Sequence, residues 1–163
     1  MQNLDGEKVF AEWGAGRFKS GSTFGALSDG AIRFLCDHGR LVELQDGERL
    51  FQAGSPADSF FVVLEGELQC FREIAGQDVS INRVCFGQQI GYASMVGLFP
   101  RLGYGRACGR TLLIEITADL FYELHKEHAF DFGILMLNLS REMARRIRFL
   151  VDQRCEESTD QPV

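Results

Sequence analysis

The sequence predicts a mainly β domain flanked by helices, on three observations. Short apolar runs alternate with Gly- and Asp-bearing turns from residue 40 to 116, a capped amphipathic segment precedes them, and a long stripe of helical period follows them. That order describes a β-sandwich or barrel with a helix before it and helices after it. A chain of 163 residues, 45% of them hydrophobic, suffices for one core.

Residues 1–23 read as an N-terminal segment and linker. Leu4, Val9, Phe10 and Trp13 suggest a short helix, and Gly14, Gly16, Ser20, Gly21 and Ser22 then mark a flexible connection. The next helix is better signalled. Ser28 or Asp29 can accept hydrogen bonds from its first free N–H groups, and Ala31, Ile32, Phe34 and Leu35 share an apolar face. Gly39 suits the left-handed position that ends a helix.

Strands are predicted over 41–44, 50–51, 60–64, 68–73, 79–86 and 111–116, separated by turns such as Gln45-Asp46-Gly47, Gly54-Ser55-Pro56, Glu65-Gly66 and Ala75-Gly76-Gln77-Asp78. Thr117 caps a helix through Leu120, Phe121 and Leu124. A longer helix over 130–153 carries Phe132, Leu135, Leu139, Met143, Ile147 and Leu150 at three- and four-residue steps. Its other side, Arg141, Glu142, Arg145, Arg146 and Arg148, reads as a solvated face of mixed charge. Residues 24–153 therefore form the domain, and 154–163 a flexible polar tail.

Composition narrows the function classes. A net charge of −6 argues against a surface that binds nucleic acid throughout. No apolar run reaches the length of a membrane span, and residues 1–10 carry Asp5 and Glu7 instead of a signal sequence, so a cytoplasmic protein without membrane contact is expected. The five cysteines are odd in number and form no C-x-x-C pair, which argues against a disulfide framework or a zinc site. His125 and His128 lie three apart without further ligands, and neither G-x-S-x-G nor a P-loop occurs. The expectation is a non-enzyme with no catalytic residues, metal or resident cofactor.

Two segments carry a family resemblance. Gly54-Ser55-Pro56-Ala57-Asp58, the run Phe60-Phe61-Val62-Val63-Leu64 and the turn Glu65-Gly66 look like the hairpin signature of the cyclic nucleotide-binding domain family. Gly54 and Gly66 would relax the turns, and Asp58 would bond N–H groups within its own. The stretch from Phe86 to Ala107 resembles the family's phosphate-binding cassette, a Gly-Glu pair, a short helix and a Pro-Arg pair followed by small and hydroxyl residues. Gly91 falls on the cassette glycine, and Pro100-Arg101 falls on the Pro-Arg pair at the family's spacing. The sequence departs from the pattern at Tyr92, where the ribose-binding carboxylate is usual, and at Leu102 and Gly103.

The resemblance implies a jelly-roll-like double-stranded β-helix and a cyclic nucleotide or other anionic ligand. The ligand would sit at Gly91 on the N–H groups of Tyr92, Ala93 and Ser94, opposite the Arg101 guanidinium, with Leu102, Gly103 and Tyr104 shaping the pocket. It also implies a homodimer through the C-terminal helix, by the stripe Leu135, Leu139, Met143, Ile147 and Leu150, although that stripe can instead pack on the domain's own roll. In catabolite-activator-type regulators a DNA-binding domain follows this helix. Here residues 155–163 are too few for one, so this chain is not expected to bind DNA. The expected function is ligand sensing, signalled through the C-terminal helix. The alternative on the same fold is a dimerisation or interaction module without a ligand.

Overall fold

Five-residue and longer strands arise where apolar and polar residues alternate or where an apolar run is buried on both faces. They are β1 (Arg40–Leu44), β2 (Ser59–Glu65), β3 (Leu68–Ile74), β4 (Gln77–Val84) and β7 (Thr111–Thr117), joined by the shorter β5 (Gln89–Ile90) and β6 (Tyr104–Ala107). The helices are α1 (Gly6–Lys19), α2 (Asp29–His38), α3 (Tyr92–Gly97), α4 (Ala118–Glu127) and α5 (Ala129–Thr159). This computed structural model describes residues 5–159, with side chains to residue 156.

One sheet has the order β1-β7-β2-β5 and the second β4-β3-β6, with antiparallel pairing throughout. Strand alternation divides the core in two. Phe60, Val62 and Leu64 of β2, with Leu112, Ile114 and Ile116 of β7, face the helices and meet Ile32, Leu35, Leu124, Leu135 and Leu139. Phe61 and Val63 point the other way, into the roll, with Val42, Leu68, Cys70, Val84 and Leu113. The continuous apolar run 60–64 is thus a strand buried on both faces. A fully buried side chain of this kind contributes about 1.5–3 kcal/mol.

Caps fall at the sequence's own signals. The Ser28 hydroxyl accepts from the Ala31 N–H at 3.2 Å, and the Thr117 hydroxyl accepts from the Leu120 N–H at 3.1 Å. Gly54 and Gly66 take positive φ angles, 80° and 78°. Asp58 differs from expectation: among the described residues its side chain makes no turn hydrogen bond, and its backbone carbonyl accepts from Ala118 N–H at 2.8 Å.

Other differences have physical reasons. Residues 14–19 are not a linker. The helix resumes beyond a break at Gly14 (φ 70°) and runs to Lys19, because Phe18 is buried against the main core, where Val9, Phe10 and Trp13 also pack. Gly39 is extended (φ −77°), not left-handed. Its missing side chain matters for packing, since a Cβ there would lie 2.6 Å from the Leu35 carbonyl oxygen and 2.8 Å from Ile114 Cδ1. The 50–51 stretch forms no strand and is held by a bridge between Arg49 and Arg106 and a hydrogen bond from Leu50 N–H to the Gly105 carbonyl. α5 continues to Thr159, through the first part of the predicted tail; residues 160–163, like Leu4, lie outside the described residues. No helix among the described residues is long and apolar enough to cross a membrane.

Candidate ligand-binding site

The segment that resembles a phosphate-binding cassette (the cassette segment) runs through β5, which pairs with Phe61 and Val62 of β2. Gly91 follows in a left-handed conformation (φ 94°) and opens α3. Only glycine fits, because a Cβ would stand 2.2 Å from Arg101 Nη1. The close approach brings the guanidinium onto the cassette's own backbone. Arg101 Nη1 donates to the Gly91 carbonyl at 3.1 Å, and Nη2 donates to the Ser59 carbonyl at 2.6 Å. The side chain is 4% exposed, its Nε has no partner among the described residues, and Phe51 stacks on it with the ring centre 4.5 Å away. Burial lowers the Arg101 pKa, and the Asp58 and Glu115 carboxylates oppose that shift.

Tyr92 turns away from the roll. Its ring is buried edge-on to Phe60 and near Phe121, and its hydroxyl donates to Met136 Sδ at 3.4 Å. Burial raises its pKa. Its backbone N–H donates to Gln89 Oε1 at 3.2 Å. Of the other expected site residues, Ser94 is buried, Leu102 is exposed, and Gly103 lies so close to the Phe71 carbonyl that a Cβ would meet it at 2.1 Å. Of the seven expected residues, Gly91 and Arg101 are brought into direct contact.

A cavity of about 630 Å³ opens beside Gly91 and Ala93, the two expected residues that line it. This is within the usual range for small-molecule sites, roughly 300–1,000 Å³. Cys70, Asn82, Arg83 and Val84 form one wall, the segment Gln88–Gly91 the floor, and Glu142, Met143, Arg145, Arg146, Ile147 and Phe149 of α5 the other wall. Desolvation pushes the Cys70 thiol up to about 11, against a smaller lowering effect of Arg146, so it stays protonated at neutral pH.

Glu142 and Arg146 correct the reading of a solvated helix face. Glu142 Oε1 accepts from the Ser22 hydroxyl at 2.6 Å and the Thr23 hydroxyl at 2.9 Å, and Oε2 accepts from Gln89 N–H at 3.4 Å. Arg146 Nη2 donates to the Ile81 carbonyl at 3.2 Å. The signal for both was present in the sequence: they continue, at steps of three and four, the stripe of Leu135 and Leu139, both fully buried. Among the described residues, no three His, Cys, Asp or Glu side chains gather as a metal site.

Comparison with known proteins agrees with this architecture. The cyclic nucleotide-binding domain family model matches residues 41–128. A cyclic nucleotide-binding domain from Methylobacillus flagellatus superposes with a TM-score of 0.82 at 21% identity, over 99% of this chain and 92% of that one. The regulatory domain of Toxoplasma gondii PKA, solved with cAMP, gives 0.61 at 19% identity, over 75% of this chain and 46% of that one. Rat patatin-like phospholipase domain-containing protein 7 is 39% identical over 57 residues, 34% of this chain but only 4% of that protein. The fold and the family match lead to one assignment: the chain belongs to the cyclic nucleotide-binding domain family.

Proposed function

We propose that this chain is a ligand-sensing regulatory domain, not an enzyme, that works in the cytoplasm and passes its state on through α5. The observation that carries the reading is the cavity between the roll and α5. Any occupant touches β4, the start of the cassette and the helix together, so binding changes how the helix is held against the roll. The ligand class is a cyclic nucleotide, the kind named with the Toxoplasma domain, or another nucleotide-like anion. Gly91 and Ala93 give it a close backbone wall, and Arg101, on the Ser59 and Gly91 carbonyls, and Gly103, against Phe71, keep the adjoining loop in shape.

The domain acts as a homodimer through α5. Leu135 and Leu139 are committed to the domain's own core, so the seam lies on another face of the helix. Gly133, Leu137, Ser140, Ala144, Ile147 and Val151 recur at steps of four and three, and all are exposed. That is heptad spacing with small residues that let two helices approach.

A thermal-shift screen against cyclic mono- and dinucleotides tests the sensing reading. A rise of several degrees with one compound is expected; no response to any of them refutes it. A second reading, a dimerisation module without a ligand, is favoured by the Arg101 guanidinium being spent on the Ser59 and Gly91 carbonyls. It predicts a dimer by light scattering and no shift with any nucleotide.

A further inference from the structure

The cavity calls for an anion, and the groups that make the demand stand on α5. Three arginines, Arg83, Arg145 and Arg146, line it against one carboxylate, Glu142, in a chain whose net charge is −6. The carboxylate is already satisfied by Ser22, Thr23 and Gln89. Arg83 is held by Glu67 at 3.0 Å. Arg146 gives one Nη2 bond to the Ile81 carbonyl and has no ion pair among the described residues; Arg145 has neither. The uncompensated charge in the cavity is therefore cationic and belongs to two successive residues of one helix. Arg101, the cationic group of the cassette, does not line the cavity.

We propose that a phosphate of the ligand is held by Arg145 and Arg146, with the attached ring against Val84, Ile90, Met143 and Phe149, while Arg101 stays on its backbone carbonyls. The inference rests on the sensing reading above and changes which element grips the anion. Guanidinium groups bind phosphate oxygens by charge-assisted hydrogen bonds, and the apolar walls suit a flat base. Because Arg145 and Arg146 follow Glu142 by about one helical turn, the anion draws on the stretch of α5 that Glu142 ties to Ser22, Thr23 and β5.

Titration calorimetry with cAMP, cGMP and cyclic di-GMP tests it, on the wild type and on Arg145→Gln, Arg146→Gln, Arg101→Lys and, as a control outside the cavity, Arg72→Gln. Arg145 is exposed, so Arg145→Gln keeps the ligand-free melting temperature. The expected result is at least about tenfold weaker binding in Arg145→Gln and in Arg146→Gln, with Arg72→Gln unchanged. Binding within twofold of wild type in both, together with loss in Arg101→Lys, overturns the proposal and leaves the sensing domain standing with its anion on the cassette. No binding of any of the three compounds to the wild type overturns both.

Discussion

The Arg101 guanidinium donates to the Ser59 carbonyl at 2.6 Å, fastening the end of the cassette to the first residue of β2. The backbone reinforces the clasp, since Arg101 N–H donates to the Ser55 carbonyl at 3.0 Å and the Arg101 carbonyl accepts from Gly54 N–H at 2.8 Å. The residue that a sequence pattern marks for a ligand is here a structural tie. Arg101→Ala should therefore destabilise the ligand-free domain by about 3 kcal/mol, because it leaves buried carbonyls without donors and removes the contact with Phe51. Urea unfolding measures this, and a loss below about 1 kcal/mol would show that the clasp is idle.

Tyr92 offers a sharper contrast. Its hydroxyl meets only a thioether, whereas its ring fills the space between Phe60 and Phe121. Tyr92→Phe should cost less than about 1 kcal/mol, and Tyr92→Ala about 3–5 kcal/mol. Tyr92→Glu, which restores the carboxylate usual at that position, should be as damaging as alanine, because it puts a charge into an apolar pocket. A glutamate variant as stable as wild type would mean that α3 can rotate to expose the site.

Much of this was legible in the sequence, and the failures share a cause. The apolar runs 60–64 and 111–116, the Ser28 and Thr117 caps and the Gly66 turn each had a local signal strong enough to survive in the fold. β5 and β6 had none: one has two residues, and the other reads Tyr104-Gly105-Arg106-Ala107, without alternation. Their pairing is set by β2 and β3, far away in sequence. The site suffered similarly. Gly91 is recognisable by its spacing from Arg101, but which way the guanidinium points depends on Ser59, a contact across 42 positions. The α5 wall was hidden because charged residues were assumed to face water, while Glu142 and Arg146 continue the buried stripe.

The two buried thiols give the domain an alkaline limit. Burial, with a smaller contribution from Asp37, pushes Cys36 from 9.0 to about 12, and burial pushes Cys70 from 9.0 to about 11. Between those limits the unfolded chain releases thiol protons that the folded chain keeps. Stability therefore falls as pH rises above about 9, by up to about 1.4 kcal/mol per pH unit for each thiol. In Cys36→Ala/Cys70→Ala the slope contributed by these groups disappears. Urea midpoints from pH 8 to pH 10.5 should show wild type losing its advantage over the variant by about 4 kcal/mol, roughly 2 for each thiol. Parallel pH profiles would contradict the assignment.

The shape of α5 makes the last prediction the most specific. The helix has two usable faces. One carries Leu135, Leu139, Glu142 and Arg146 toward the roll, and the other presents Gly133, Leu137, Ser140, Ala144 and Val151 to solvent, with the exposed Ile147 at the border between that face and the cavity. Leu137 is 55% and Val151 54% exposed, a cost that a single domain has no reason to bear along a full heptad pattern. Paired with its twin, that face becomes a knobs-into-holes seam, narrow at Gly133, Ser140 and Ala144. Ala144→Glu and Val151→Asp should each convert a dimer to a monomer in light scattering at micromolar concentration. Both should leave the circular dichroism spectrum unchanged, because neither side chain supports the domain's own core. A dimer that survives both substitutions would have to be joined elsewhere, and signalling through α5 would then need a route that does not cross this seam.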